Sequence, residues 1–367
     1  MLSKTDIRSD GGEIMAKIKL AVLFGGSSSE HSVSLVSATT VLRSLDPEQY
    51  DIIPIGITDK GRWLFYPGPY EDLENDNWLQ CPDNVPCILS PDRQVHGLVK
   101  FIGEGEITLQ RIDCVFPVLH GRNGEDGTIQ GLAALAGIPC VGCDLLSSAV
   151  CMDKDLTHTV LTQAGIKNAP WQVVHHANDE SFESIKTRLE EKLHYPMFVK
   201  PANAGSSVGI NRVDGPEYLQ DAIQIAMAHD PKVVVEAMIT GSEVECAVLG
   251  NEHPVVSVPG EITPCNTFYD YEAKYLSNSG LTIPARLDAE LTAKVRAVAK
   301  AAYQALGCRG MARVDSFVNK ETGEIVVNEI NTIPGFTGIS MYPKLFAASG
   351  MSYSTLLDEL IALAMEN

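Results

Sequence analysis

The chain has 367 residues with 47 Asp and Glu against 28 Lys and Arg, a formal net charge of −19; at about 150 residues per domain that length calls for more than one domain, and the sign of the field repels nucleic-acid backbones and anionic membrane surfaces. Hydrophobic residues are 45% of the chain and charged residues 20%, the balance of a protein that buries a core, which excludes long disorder. Nine cysteines, an odd number without the dense even spacing of a secreted disulfide scaffold, point to a reducing, cytoplasmic setting.

Residues 1–15 read as a polar leader, with Met15 as an alternative start, and Leu20 to Phe24 is too short for a signal-peptide core. The stretch from Gly127 to Met152 carries only the charge of Asp144, but Gly131, Gly137 and Pro139 interrupt it, so no membrane span is expected. Ile18 to Phe24 reads as a strand, Gly25 to Ser29 as a small-residue turn, His31 to Leu45 as a helix and Tyr50 to Ile57 as a second strand, together a βαβ unit. Asp113 to Leu119 reads as a buried strand, His120 to Gly127 as a polar glycine loop and Thr128 to Ala136 as the next helix. These elements predict an open N-terminal α/β domain over 16–143.

A helix from Met152 to Gln163 leads to strand-like Met197 to Lys200 and Val208 to Val213, a helix from Pro216 to Ala228 and a β-rich run from Lys232 to Ile239. This is a small α+β domain, 144–239. The remainder, 240–367, is a second α+β domain. It has strands at Glu243 to Leu249 and Val255 to Ile262, an aromatic polar loop, a helix from Asp288 to Leu306, a hairpin over 311–331 and a final helix from Thr355 to Met365.

Common catalytic signatures are absent. With no Gly-Lys dipeptide there is no P-loop, and the first βα turn lacks GxGxxG spacing. Cys140 to Cys143 spells CxxC without a second pair or nearby histidines, so it reads as packing. Gly205 to Gly209 spells GxSxG, but β-like residues follow it where a nucleophile elbow needs a helix.

Two constellations remain. In the hairpin, the strand period places Arg313 with Asp315 and Glu329 with Asn331. Hard oxygen donors of this kind suit Mg²⁺ beside nucleotide phosphates. A solvated hairpin face is the alternative, but Ile325 and Val327 share the parity of Glu329, so that face is expected to begin apolar. The second constellation is Phe198 to Gly209, a strand ending in Lys200 and a loop of Gly205, Ser206, Ser207 and Gly209 whose N–H and O–H groups suit phosphate oxygens. A plain hairpin turn is the alternative there.

FVKPANAGSSVG, HGRNGEDGT, FYDYEAKY, MARVD and NEINTIPGFT together resemble the D-alanine:D-alanine ligases of the ATP-grasp superfamily, from about Lys17 to the C-terminus. The resemblance implies an open N-terminal α/β domain and two α+β domains that sandwich ATP. It implies ligation of two D-alanines through a D-alanyl phosphate for peptidoglycan precursor synthesis, or of D-alanine to another second substrate such as D-lactate or D-serine. By the family's motifs, Lys154 and Lys200 match the phosphate lysines, with Ser207 in the same phosphate loop. Glu236, Met238 and Ile239 match the adenine contacts and Glu243 the ribose contact. Asp315, Glu329 and Asn331 match the ligands of Mg²⁺, or of Mn²⁺ in its place. Glu30 matches the carboxylate that holds the ammonium of the first D-alanine, linked to Ser206 and Tyr275, and His120 lies in the matching substrate loop. Arg313 and the backbone N–H of Gly335 match the oxyanion site, and Lys274 and Ser340 the groups on the second substrate's carboxylate.

Such a chemistry is coherent with the residue types. A carboxylate must be activated by phosphorylation before an amine attacks it, and phosphoryl transfer needs mainly positioning and charge neutralisation. Ser277 to Gly280 is expected to belong to a lid that excludes water, and the resemblance implies that Tyr275 after Lys274 goes with an amine nucleophile. The expected partners are D-alanine and ATP, without nucleic acid or membrane, and a homodimer is compatible with the sequence. A superfamily ligase for another acid and amine would not need Glu30, Tyr275 and Ser340 together, and a non-catalytic binding protein would have no reason to keep Arg313 beside a complete Mg²⁺ set.

Overall fold

The computed structural model describes residues 16–176, 180–205, 208–263 and 280–366. Leu20 to Phe24 are all fully buried, because β1 (Ile18–Gly25) pairs in parallel with β2 (Tyr50–Ile57) on one side and β7 (Cys114–Pro117) on the other; a parallel strand covered on both faces needs a continuous apolar run. Beyond β2 the sheet turns antiparallel through β3 (Trp63–Phe65), β4 (Val85–Leu89), β5 (Gly97–Gly103) and the edge strand β6 (Glu106–Arg111). Helix α1 (His31–Ser44) starts directly after β1. Its Ser34 hydroxyl accepts from the Gly25 N–H at 2.8 Å and donates to the Val118 carbonyl, tying together the ends of two strands. A short helix, α2 (Glu71–Glu74), and α3 (Thr128–Ala136) complete this layer.

The expected single helix from Met152 to Gln163 is two helices, α4 (Leu145–Met152) and α5 (Lys154–Gln163). Asp153 between them is extended and caps α5, accepting from the N–H groups of Asp155 and Leu156. An Asp that can satisfy the next helix's orphan donors favours such a break. A second sheet follows, in the order β10 (Asn211–Val213), β9 (Met197–Pro201), β11 (Lys232–Ala237), β8 (Trp171–His175). It packs on α6 (Phe182–Lys192) and α7 (Leu219–Met227) through Ile185, Leu189, Leu219 and Ile223.

The third sheet runs β15 (Gly280–Thr282), β14 (Gly260–Thr263), β12 (Ser242–Leu249), β16 (Met311–Asn319), β17 (Glu324–Asn331), with β13 (Val255–Val256) also on β12. The run expected as one strand over Val255 to Ile262 is therefore two, separated around Pro259. Helix α8 (Ala289–Ala305) is capped by Asp288 and buries Leu291, Val295, Ala299 and Ala302, the one-sided stripe of an amphipathic helix. Two further helices, α9 (Met341–Ala348) and α10 (Tyr353–Met365), cover the other end.

The cores join the layers in a way the chain order does not announce. Leu20, Val22 and Phe116 of the first sheet share one core with Phe336, Tyr342 and α10 residues Leu356, Leu357 and Leu360, and the Phe116 and Phe336 rings meet edge to face at 6.1 Å. Cys143, Cys151 and Leu161, around α4 and α5, pack with the third sheet and α8. That leaves the second sheet with a separate core and a cleft against the third.

Candidate active site

The cleft between the second and third sheets holds a cavity of about 410 Å³ lined by Lys200, Glu236, Met238, Ile239, Glu243 and Glu329 among others. Glu236 is buried near the end of β11, opposite Phe198 of β9. One of its oxygens accepts from Lys200 Nζ at 2.6 Å and the other lies 3.0 Å from His158 Nε2. Burial opposes its charge, but the Lys200 ammonium and His158 outweigh that and hold the carboxyl well below the usual range. His158 is itself fixed against Trp171, ring centroids 5.0 Å apart. The chain then leaves β11 through Met238 and Ile239 with Glu243 at the start of β12, so the partly apolar cavity is lined by the Lys200–Glu236 pair, Met238, Ile239 and Glu243.

At the next level the β16–β17 hairpin places Asp315 opposite Glu329 and Arg313 opposite Asn331. The simple alternation argument for this face needs correction. A bulge between Asp315 and Ser316 pairs Ser316 with Val327, and Phe317 with Val326. The extra residue moves Val327 and Ile325 off the register of Glu329, and Val326 becomes the apolar neighbour along the Asp315 row. The convergence of Asp315, Glu329 and Asn331 survives, because the bulge lies just beyond it.

Arg313 grips Asp315 with a two-pronged fork, Nε to Oδ1 at 2.8 Å and the second nitrogen to Oδ2 at 2.7 Å, the strong form of this pair. Asn331 donates its amide N–H to Asp315 Oδ2 at 3.0 Å, and its side-chain carbonyl oxygen is the acceptor of that amide. Two carboxylates and an amide oxygen are a donor set that fits a hard divalent cation such as Mg²⁺. Among the described residues no group of three His, Cys, Asp or Glu side chains is arranged for a metal, so any cation site here depends on the amide.

The N-terminal layer delivers the third part. Glu30 stands at the N-terminus of α1, where its side chain makes no capping hydrogen bond. It is buried, and its carboxylate lies so close to Gly121 and Gly205 that a Cβ on Gly121 would collide with Oε2 and one on Gly205 would come to 2.8 Å. His120 is buried and uses both ring nitrogens inside the protein: Nδ1 donates to the Ile333 carbonyl at 3.1 Å, which makes Nε2 the acceptor for the Ser37 hydroxyl at 3.1 Å. Burial, joined by the Arg313 charge and opposed by the Ile333 carbonyl, pushes the His120 pKa down to about 4. The ring is thus neutral and latches the glycine loop to the loop after β17, in which Gly335 sits against the Ser340 hydroxyl. Lys154, the first residue of α5, donates to the Ala204 carbonyl at 2.7 Å and shares a small cavity with Glu125, Gly205, Glu329 and Asn331.

Of the candidate residues, Ser206, Ser207, Lys274 and Tyr275 lie outside the described residues, as do the leader and most of the expected lid. The others meet along one path from Glu236 through Asp315 to Glu30. Three residues join them that the sequence did not single out. Glu125, in the same loop as His120, accepts from the Gly121 N–H at 2.8 Å. Neighbouring groups enclose its carboxyl although part of its surface reaches solvent, and burial, followed by the negative charge of Glu30, pushes its pKa up to about 8. His158 anchors Glu236, and Glu245 lies 3.0 Å from Arg313. The Glu125 signal was available in the HGRNGEDGT motif, whereas the other two depend on strand and helix neighbours far apart in the chain.

Models of the D-ala D-ala ligase N-terminus and C-terminus match residues 19–143 and 160–362. The chain is 51% identical to the D-alanine–D-alanine ligase of Caldicellulosiruptor bescii, over 96% of each chain, and 50% identical to that of a Thermoanaerobacter species, over 96% of this chain and 98% of the relative. Among solved structures it superposes on the VanG D-Ala:D-Ser ligase from Enterococcus faecalis with a TM-score of 0.87 at 45% identity, covering 95% of this chain and all of the other. With the D-alanine-D-alanine ligase from Coxiella burnetii the TM-score is 0.84 at 36% identity, over 95% of this chain and 94% of the other.

Proposed function

The chain belongs to the D-alanine–D-alanine ligase family, an ATP-dependent, ADP-forming ligase of the three-domain ATP-grasp fold that makes D-alanyl-D-alanine for the cell wall, and on that premise we propose how its own residues carry the reaction. ATP occupies the cleft between the second and third sheets, its base against Glu236, Met238 and Ile239, its ribose at Glu243 and its phosphates at Lys154, Lys200 and Ser207. A divalent cation on Asp315, Glu329 and Asn331 would neutralise phosphate charge during transfer. The reading is supported above all by the in-register placement of Arg313, Asp315, Glu329 and Asn331 directly beside the loops that carry Glu30, His120 and Gly335.

In the first step, a carboxylate oxygen of the first D-alanine bonds to the γ-phosphorus and ADP leaves, while Glu30 holds the substrate's ammonium with Ser206 and Tyr275. Lys154 and Lys200 offset the charge that spreads over the phosphoryl oxygens. In the second step, the free amine of the second D-alanine, held by Lys274 and Ser340, attacks the acyl carbon. The tetrahedral oxyanion faces the Arg313 guanidinium and the Gly335 N–H, donors fixed before the charge develops. Phosphate then departs with the bonding electrons and takes up the proton that the attacking nitrogen loses, and the amide remains. His120 acts by holding the two loops together, since both its nitrogens are already used.

The domain boundaries proposed are 16–143, 144–239 and 240–367, after a leader of 1–15. Among the described residues no helix is long and apolar enough to cross a membrane. The eight described cysteines are all free, which supports a cytoplasmic location, and the exposed Leu135, Leu145 and Leu146 on adjoining helices support a homodimer. Phosphate release from Mg-ATP should depend on D-alanine, with L-alanine inactive and D-serine and D-lactate poor second substrates. Equal rates with both alanine enantiomers, or release without an amino acid, would refute the assignment.

A further inference from the structure

Across three neighbouring strands, Glu245 of β12, Asp315 of β16 and Glu329 of β17 stand in one register row, and Ala247, Arg313 and Asn331 form the adjoining row. Glu245 is 2% exposed, and its Oε2 lies 3.0 Å from Arg313 Nε. That same nitrogen donates its single N–H to Asp315 Oδ1 at 2.8 Å. Two buried carboxylates therefore flank one N–H, and Asp315 accepts it, so towards that N–H Glu245 stands as a counter-charge.

Asp315 has little acceptor capacity to spare, since its two oxygens offer about four lone pairs. It receives both prongs of Arg313 and the Asn331 amide, and it is also the carboxylate proposed for the divalent cation. A buried guanidinium whose carboxylate is drawn to another cation is left uncompensated, and it moves unless a second anion is already in place. We propose that Glu245 is a positioning residue: it takes over the Nε–H of Arg313 when Asp315 is engaged elsewhere, and so keeps the guanidinium aimed at the acyl oxygen through both steps. This rests on the assignment of Arg313 to the oxyanion.

The test uses the full chain and the substitution Glu245→Gln, which keeps shape and removes charge. Three quantities are read: steady-state kinetics, Mg-ADP affinity by calorimetry without D-alanine, and the Arg313 Nε–H resonance, assigned by its loss in Arg313→Lys. In the unsubstituted protein that resonance stays sharp when Mg-ADP is added; in Glu245→Gln it broadens on the same addition. The kcat falls roughly 10- to 100-fold, the cost of a displaced catalytic group, while KM for ATP and Mg-ADP affinity stay within about twofold because ground-state binding is not touched. Glu245→Asp, charged but shorter, recovers part of the kcat. If Glu245→Gln does not fold, the resonance is compared in Glu245→Asp, where it should broaden in the same direction but less.

An unchanged kcat overturns the proposal, as does a loss of Mg-ADP affinity with the Arg313 resonance unmoved, which would make Glu245 a metal ligand. Full activity in Arg313→Lys would defeat the reading of the site itself. A crippled Arg313→Lys beside an undisturbed Glu245→Gln defeats only this inference.

Discussion

His120 and Ile333 are 213 positions apart in the chain, yet the imidazole Nδ1 of one donates to the carbonyl of the other at 3.1 Å, so the loop of the first sheet and the loop after the last strand are fixed to each other. The bond has a pH signature. Burial lowers the His120 pKa from 6.5 to about 4, so the unfolded chain takes up the proton before the folded one does. Stability from this group is complete above pH 6.5 and is lost as pH falls towards 4. The full loss is about 3 kcal/mol by the linkage between pKa shift and stability. The difference in stability between the unsubstituted protein and His120→Gln, followed from pH 8 down to pH 4, should show this slope, because groups common to both cancel in it; at pH 7 the variant should be less stable by about 1–3 kcal/mol for the stranded partners.

Glu125 titrates in the opposite sense. With its pKa raised from 4.5 to about 8 by burial and by Glu30, the folded protein holds a proton there that the unfolded chain has released. Its share of stability is present at and below pH 4.5 and disappears as pH rises through 8. Glu125→Gln mimics the protonated form, so at pH 6 it should melt close to the unsubstituted protein and at pH 9 above it. A variant that is equally destabilised at both pH values would show that Glu125 is charged in the fold.

The two ligands of the hairpin should not behave alike. Glu329→Gln removes a proposed cation donor at constant volume, so the Mg²⁺ needed for half-maximal turnover should rise at least about tenfold with little change in melting. Asp315→Asn should also lose turnover, but it releases a buried Arg313 fork and should cost about 3 kcal/mol of stability in addition. Near-normal turnover of either variant at low Mg²⁺ would remove the metal assignment.

Gly205→Ala probes the other end of the site. The backbone there is compatible with alanine, but the new Cβ would stand 2.8 Å from Glu30 Oε2 and force the carboxylate aside. KM for the first D-alanine should rise roughly 10-fold or more, the effect expected of a displaced positioning group, with KM for ATP little altered. Parallel rises in both constants would place Glu30 outside the substrate site.

The strands and helices that the sequence made legible are those with one dominant pattern. The run over Ile18 to Phe24 is buried on both faces, and α8 keeps a single apolar stripe. What stayed hidden depended on partners remote in sequence. The bulge beside Asp315 is set by the pairing of β16 with β17, and no residue in either strand announces it. Glu245 looks like any polar residue in an alternating strand until Arg313 is brought beside it. The break at Asp153 carried a local signal, a capping residue, but helical propensity on both sides masked it. The family motifs named the chemistry of Arg313 and Glu30, and the packing showed how loops from the two ends of the chain hold them in one place.

The central claim is that the carboxylate of one D-alanine is phosphorylated before the amine of the other attacks. With D-alanine labelled by ¹⁸O in both carboxylate oxygens and unlabelled Mg-ATP, each turnover should carry one labelled oxygen across into inorganic phosphate, because the oxygen that attacked the γ-phosphorus departs with it. Mass spectrometry should find one ¹⁸O per phosphate released and a dipeptide of D-alanine in equal amount. Unlabelled phosphate would mean that water, not the D-alanine carboxylate, receives the phosphoryl group, and would contradict the account.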